Sequence, residues 1–551
     1  MQQSSRIAGR WLARVLVLSI SLYALLLLAV WSDAQSPAQT TTGDTQHVQL
    51  IRSELDGDDG SIAVNSQLNA SNTTTQVSSE TMRRTFLESD GPSTLGIPKF
   101  SCLGWRQTGG CSPDGPREPD NDASCNINIK AGASGYCLLR NEDTGEDVQS
   151  MRVNCSSLRD EIRFNCRQAA DFARVAPQVD ALMAAKRQED TPKQEEVEPK
   201  NGVLMVMYPE LLSSVYSSVR LLRFSNCSLP VELWYLEKEM GANPLNDSQL
   251  LQSLVSEYGP ISLRGIAEGH VGGFNSKVYA LAHSELDQVL FLDSDNSPVK
   301  DPTYLFAAPE FVESGALFWP DFWHPMNTIF NINKESLLWE LVGTPFVDMF
   351  EQESGQLLID RRRAAVALEI VQFLALRKPD HFERLKLLHG DKDLFRLSWL
   401  KTNTSFHMIQ TPAAAAGMVK GKQFCGMTMV QHDPQGQVLF LHHNGKKLIG
   451  DEETSQTRVW THLQSFVFPD TLASLNSNAT ERYEYMKTNY HVRIVGGGIF
   501  RGLSMCYGDN KMKSEFYRTT SWDDLQYRDL EDRLHDFAQE ARALEKSSKT
   551  Q

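Results

Sequence analysis

Val289-Leu290-Phe291-Leu292-Asp293-Ser294-Asp295-Asn296 is an apolar run that stops abruptly at two carboxylates. Large apolar residues in succession, without alternation, suit a strand buried on both faces. Such strands belong to α/β architecture, where ligands bind beyond the carboxyl ends of the sheet. Two carboxylates held together off a buried strand repel each other unless a cation joins them. A divalent ion prefers hard oxygen ligands and would neutralise a diphosphate leaving group. The D-x-D spacing alone decides little, because Asp56-Gly57-Asp58, Asp120-Asn121-Asp122 and Asp391-Lys392-Asp393 share it. Context separates the triplet at Asp293 from a solvated turn.

Working outward, strands and helices alternate. Residues 202–208 (GVLMVMY), 231–236 (VELWYL), 261–266 and 288–292 are expected strands. A helix opens at Pro209, with Leu211, Leu212, Val215, Val219 and Leu222 at helical spacing, and another covers 275–285. Further strands are expected at 316–318, 356–360, 406–409, 427–431 and 437–441, the last two joined by the turn Asp433-Pro434-Gln435-Gly436. This pattern predicts an α/β layer with a mostly parallel sheet. Gly496-Gly497-Gly498 lacks the Walker spacing and is read as a turn.

The 551 residues allow more than one domain, and 41% hydrophobic with 22% charged residues is ordinary for a globular chain. A net charge of -15 argues against a nucleic-acid partner. Arg6, Arg10 and Arg14 precede an apolar run from Val15 to Trp31, which predicts a signal anchor with a lumenal C-terminus. A cleaved signal peptide is the alternative, since Ser32-Asp33-Ala34 suits cleavage. Sequons at Asn69, Asn72, Asn154, Asn226, Asn246, Asn403 and Asn478 agree with the lumen.

Cys102, Cys111, Cys125, Cys137, Cys155 and Cys166 form an even set in one stretch and predict a disulfide module, with fifteen pairings open. Of Cys227, Cys425 and Cys506, at least one is expected to be a free buried thiol. The expected organisation is a tail and signal anchor over 1–35, a disordered stem over 36–95 and a disulfide module over 96–185. A linker over 186–201, a catalytic domain over 202–480 and a C-terminal extension with a helix over 481–551 follow.

Gly273-Phe274-Asn275-Ser276-Lys277 through Asp293-Ser294-Asp295 resembles the glycogenin-like branch of GT-A glycosyltransferases. The stretches Asp295 to Phe306, Ser314 to Trp323, Glu353-Ser354-Gly355-Gln356, Gly390 to Phe395 and Phe440 to Lys447 resemble, in order, the fungal-type α-mannosyltransferases of glycosyltransferase family 71. The resemblance covers about residues 200–450. It implies a GT-A fold, a divalent metal (usually manganese) and a nucleotide-sugar donor, with GDP-mannose as the family's donor. Asp293 and Asp295 carry over as metal and diphosphate ligands, and His442 as a further metal ligand beside a second histidine, His443. Lys277 would reach donor phosphate or sugar hydroxyls, and Lys446 the diphosphate. Asp321, between Trp319 and Trp323, would bind sugar hydroxyls while the rings stack on sugar faces, with core packing as the equal alternative.

Asp391 is a catalytic candidate or a helix cap, and Gln356 a candidate for the reacting face of the sugar. The expected function is a Golgi type II α-mannosyltransferase acting on glycans of secreted glycoproteins. A GT-A transferase using a UDP-sugar and an inactive glycan-binding membrane protein are the alternatives.

Overall fold

The computed structural model describes residues 78–551 apart from 89–95, 190–197, 270, 444–446, 448–457, 501–504, 513 and 549–551. The expected anchor, most of the expected stem, Asn69 and Asn72 lie outside the described residues. Among the described residues no helix is long and apolar enough to cross a membrane.

Two sheets carry the fold, which is mixed α/β. The larger has seven strands in the order His407–Met408, Ala316–Pro320, Gln352–Asp360, Gln288–Leu292, Asn201–Val206, Val231–Leu236, Ile261–Ile266. The last four run parallel, and the inner three are mostly apolar, as strands buried on both faces must be. Gln352–Asp360 is antiparallel to both of its neighbours.

The second sheet was not legible as separate. Its main path runs Asn296–Pro298, Val438–His442, Gln423–His432, Ala414–Lys420, His462–Phe466, Tyr517–Ser521, all antiparallel. The turn expected at 433–436 does join two of these strands, with Gly436 at φ +76°.

The disulfide module forms as expected, and its pairing is Cys102–Cys125, Cys111–Cys155 and Cys137–Cys166. Cys425 and Cys506 also pair, clamping Gln423–His432 to Met505–Gly508, and Cys227 is the buried free thiol. Two expected boundaries do not separate units. The module's Trp105, Phe164 and Val179 belong to the same apolar cluster as Phe291 and Leu357 of the large sheet. The C-terminal helix Leu530–Ser548 buries Leu534, Ala538 and Ala541 at helical spacing, and Tyr216 donates to its Glu540 at 2.8 Å.

The stem also ends earlier than composition suggested. Ser79–Glu88 is a helix whose Arg83 pairs with buried Glu369 at 2.6 Å and whose Phe86 packs edge-on against Phe373. Averaging over a long polar stretch hid Met82 and Phe86, spaced to lie on one helix face.

Helix Ala169–Glu189 is tied to the segment after helix Ala365–Leu376 by a largely buried ion cluster. Asp171 accepts from Arg377 at 2.6 Å and faces His381 at 2.7 Å. Burial opposes charge on Asp171, but His381 and Arg377 outweigh it and hold the carboxyl below its ordinary value. A depressed carboxyl pKa gives stability that is present above the unfolded pKa and is lost as pH falls below about 4. Asp171→Asn should cost about 3–5 kcal/mol at neutral pH, because Arg377 is left buried without its counter-charge. Denaturant titrations at neutral pH and at about pH 3 check this: the variant's disadvantage should be smaller at pH 3, where the unfolded carboxyl is protonated and the folded one still largely ionised, and an equal deficit at both would refute the ionic account.

Candidate functional site

The central feature is a junction between the two sheets. The strand Gln288–Leu292 ends at Asp293, a tight turn follows in which Asn296 donates to the Asp293 carbonyl at 2.9 Å, and Asn296–Pro298 enters the second sheet. There Asn296 pairs in register with His442. That register carries the His442 imidazole to the two aspartates from a strand far away in sequence. Its Nε2 lies 3.3 Å from Asp295 Oδ1 and 3.8 Å from Asp293 Oδ2.

His442 and His443 are now distinguishable. His443 donates its backbone N–H to the Asp295 carbonyl, and its ring packs on Trp460. The His442 ring passes over Gly355, where an added Cβ would come within 2.6 Å of Nδ1. That glycine is the space that admits the ring.

Lys277 comes up from helix Asn275–His283 and is buried. Its ammonium sits 3.2 Å from Asp293, 3.0 Å from Asp391 and 2.8 Å from the Ser354 carbonyl. Burial opposes its charge, and the two aspartates more than compensate, raising its pKa. Asp391 is not a helix cap: the helix Leu394–Thr402 begins after Asp393, and the Asp391 carboxylate turns to Lys277. Lys447 pairs with Asp295. Lys446, expected at the diphosphate, lies outside the described residues.

These groups line a cavity of about 470 Å³. Asp321, Phe322 and Trp323 form one wall, and Phe322 stacks on Tyr507 with ring centres 5.7 Å apart. Trp319 is not on that wall. It is fully buried, donates to the His432 carbonyl at 2.7 Å and packs on Phe440, so core packing accounts for it. Gln356 does not line the cavity either: it is buried in mid-sheet opposite Leu292, accepting from Asn296 at 2.6 Å. The expected sugar-facing role of Gln356 is not supported by this position.

Four residues of this region had no sequence-based role. Glu353 faces His442 Nδ1 at 3.5 Å, and Lys392 bridges Asp321 and Glu351. Burial tends to raise the Glu353 pKa, but His442 and the lysines pull it down to about 2. His442 is raised in turn, since Glu353 and Asp293 outweigh its burial. Burial pushes Asp321 up to about 7 despite Lys392. Glu353, Lys392 and Lys447 stood within stretches whose family resemblance was visible, the two lysines one position from residues singled out. Glu351 carried no such signal.

Asp293, Asp295 and His442 offer one ligand atom each, all within 4.8 Å of one another. Two hard carboxylate oxygens and an imidazole in a partly buried site are a donor set suited to a divalent transition metal. The surrounding excess of acidic groups over Lys277 and Lys447 calls for further positive charge.

Residues 200–433 match the family model described as "Mannosyltransferase putative". Over this span the chain is similar to fungal-type mannosyltransferases. Alpha-1,2-mannosyltransferase MNN2 of Saccharomyces cerevisiae is 26% identical over 195 residues, covering 29% of this chain and 33% of that protein. Alpha-1,2-mannosyltransferase MNN21 of Candida albicans is 23% identical over 290 residues, covering 44% of each chain. The chain thus spans less than half the length of these curated relatives. Among solved structures, core-mannan synthase A of Aspergillus fumigatus in its Mn/GDP form gives a TM-score of 0.28 at 9% identity, over 40% of this chain and 76% of that one. A likeness so distant carries no argument. Within the mannosyltransferase span lie Lys277, Asp293, Asp295, Asp321, Glu353 and Asp391 of the cavity, while His442 and Lys447 come from just beyond it.

Proposed function

We propose that this protein is a GT-A mannosyltransferase of the secretory pathway, anchored in the Golgi membrane by its N-terminal segment. It transfers mannose from GDP-mannose to a glycan acceptor on secreted glycoproteins. The observation that carries the reading is the convergence of Asp293, Asp295 and His442 in one cavity of a chain similar to mannosyltransferases. The disulfides and sequons support the compartment.

A divalent ion, manganese in this reading, would be held by Asp293, Asp295 and His442. When bound it supplies positive charge for the diphosphate of the donor and its leaving group. The chain's own residues do the rest. Lys277 and Lys447 are the cations beside the carboxylates and would draw the donor phosphates in. Asp321 and Asp391 accept hydrogen bonds from sugar hydroxyls and fix the orientation of the ring. Phe322, Trp323 and Tyr507 give the wall an apolar surface that excludes water from the reacting sugar.

The test is a donor screen on the purified protein, with GDP-mannose and UDP-sugars, a mannoside acceptor, and manganese or chelator. Transfer from GDP-mannose that stops with chelator is expected. Transfer only from a UDP-sugar would refute the donor, and no release of a nucleoside diphosphate from any donor would refute the enzyme.

Glu353 is placed to hold the His442 ring with Nε2 toward the aspartates, as carboxylates do for metal-binding histidines. Glu353→Gln should weaken manganese binding by about 10–100-fold, read by titration calorimetry or spin resonance in the absence of donor. Unchanged affinity would remove Glu353 from this role.

A further inference from the structure

A second cavity, of about 720 Å³, opens at the other end of the strand that carries His442. Val438 lines it and His442 lines the first, and the two cavities share no lining residue. Four residues of strand put about 13 Å between those two positions. We infer that this second cavity binds an uncharged mannose-containing oligosaccharide, as a holding site for an acceptor chain. The sugar class follows from the lining, and the choice of mannose rests on the function proposed above.

Three observations carry the class. The first is charge. Lys300 lines the cavity, but its ammonium is already neutralised by Asp433 at 2.9 Å, and Asp433 also accepts from Tyr304 at 2.7 Å. The other charged lining residue is Asp524, an exposed carboxylate. Among the described residues of the lining a phosphate or nucleotide would find no free cation and one repelling charge, whereas a polyol has hydroxyls to donate to that carboxylate.

The second is the pairing of rings with polar side chains. Tyr527 lines the cavity and is held edge-on by the fully buried Trp522, with ring centres 5.4 Å apart; Phe466 lines it as well. Flat rings beside Asp524, Gln437 and Gln526 match the apolar faces and equatorial hydroxyls of a pyranose.

The third is His432. It lines the cavity with only 5% of its surface exposed, and its Nδ1 has no hydrogen-bond partner among the described residues. Burial pushes the His432 pKa down to about 4, so the ring is neutral and can accept or donate to a hydroxyl without an ionic partner.

The experiment is calorimetric titration of the full chain with α-mannotriose, without donor or metal, repeated on Tyr527→Ala and Asp524→Ala. Binding is expected, weakened roughly fivefold or more in each variant. Asp524 is exposed, so its replacement leaves folding intact even where the loss of the Tyr527 ring does not. Failure of mannotriose to bind, or equal binding to the wild type and both variants, overturns the site. Cellotriose binding in place of mannotriose, with the same sensitivity to the variants, overturns the assignment to mannose. None of these readings depends on transfer, so failure of the proposed activity would be seen separately in the donor screen.

Discussion

Replacing Asp293 or Asp295 with alanine is expected to lower transfer by more than about a hundredfold while the fold survives. Charge stabilisation at one such position supplies about 2.7–4 kcal/mol, and each aspartate contributes one of the three candidate ligand atoms. The fold survives because neither side chain is the sole partner of a buried cation. With Asp293 removed, Lys277 keeps Asp391 and the Ser354 carbonyl. With Asp295 removed, Lys447 is 41% exposed and returns to water, and His442 keeps Glu353. His442→Ala should act in the same direction by less, since one imidazole is lost from the set and both carboxylates remain. Initial rates, manganese affinity and melting temperature on the three variants check this. Near-normal transfer in both aspartate variants would refute the metal site.

Lys392→Met should instead damage the fold. Lys392 is the cation between buried Asp321 and Glu351, while the neighbouring Asp393 is served by Arg396. Without Lys392, two carboxylates remain buried and uncompensated, a loss of about 3–5 kcal/mol for breaking such a pair.

The pH dependence gives a sharper test. Burial already raises both carboxyls, Asp321 to about 7, against the pull of Lys392. A carboxyl whose folded pKa lies above its unfolded value binds its proton more tightly in the native state. It therefore lowers stability as pH rises from about 4 toward the folded pKa. Removing Lys392 moves that folded pKa higher still. The deficit of the variant should be largest above about pH 8 and much smaller near pH 5.5, measured by denaturant titration at each. A deficit independent of pH would mean that the loss is one of packing.

The strands at 231–236 and 288–292 were legible to the residue because each is a mostly apolar run, as burial on both faces requires, and the half-buried edge strand at 261–266 was legible as well. The second sheet was less so. Gln423–His432 and Val438–His442 are also largely buried, so their composition alone does not say which sheet they join. The Asp391 side chain was ambiguous for a related reason: a carboxylate near a helix start reads as a cap until the position of Lys277 is known.

Sequence alone determined the mixed α/β class, the six-cysteine disulfide module and the place of Asp293 and Asp295 at the end of a buried strand. Those features are local: runs of apolar residues, counts of cysteine and short spacings state them directly. Only the tertiary structure decided the cysteine pairing, the partnership of Cys425 with Cys506, the choice of His442 over His443, and the lysine bridge between Asp321 and Glu351. Each of these joins groups distant along the chain. Strand register sets which of two adjacent histidines faces an aspartate, because successive side chains point to opposite faces. A buried charge finds its partner through packing, which no spacing along the chain records.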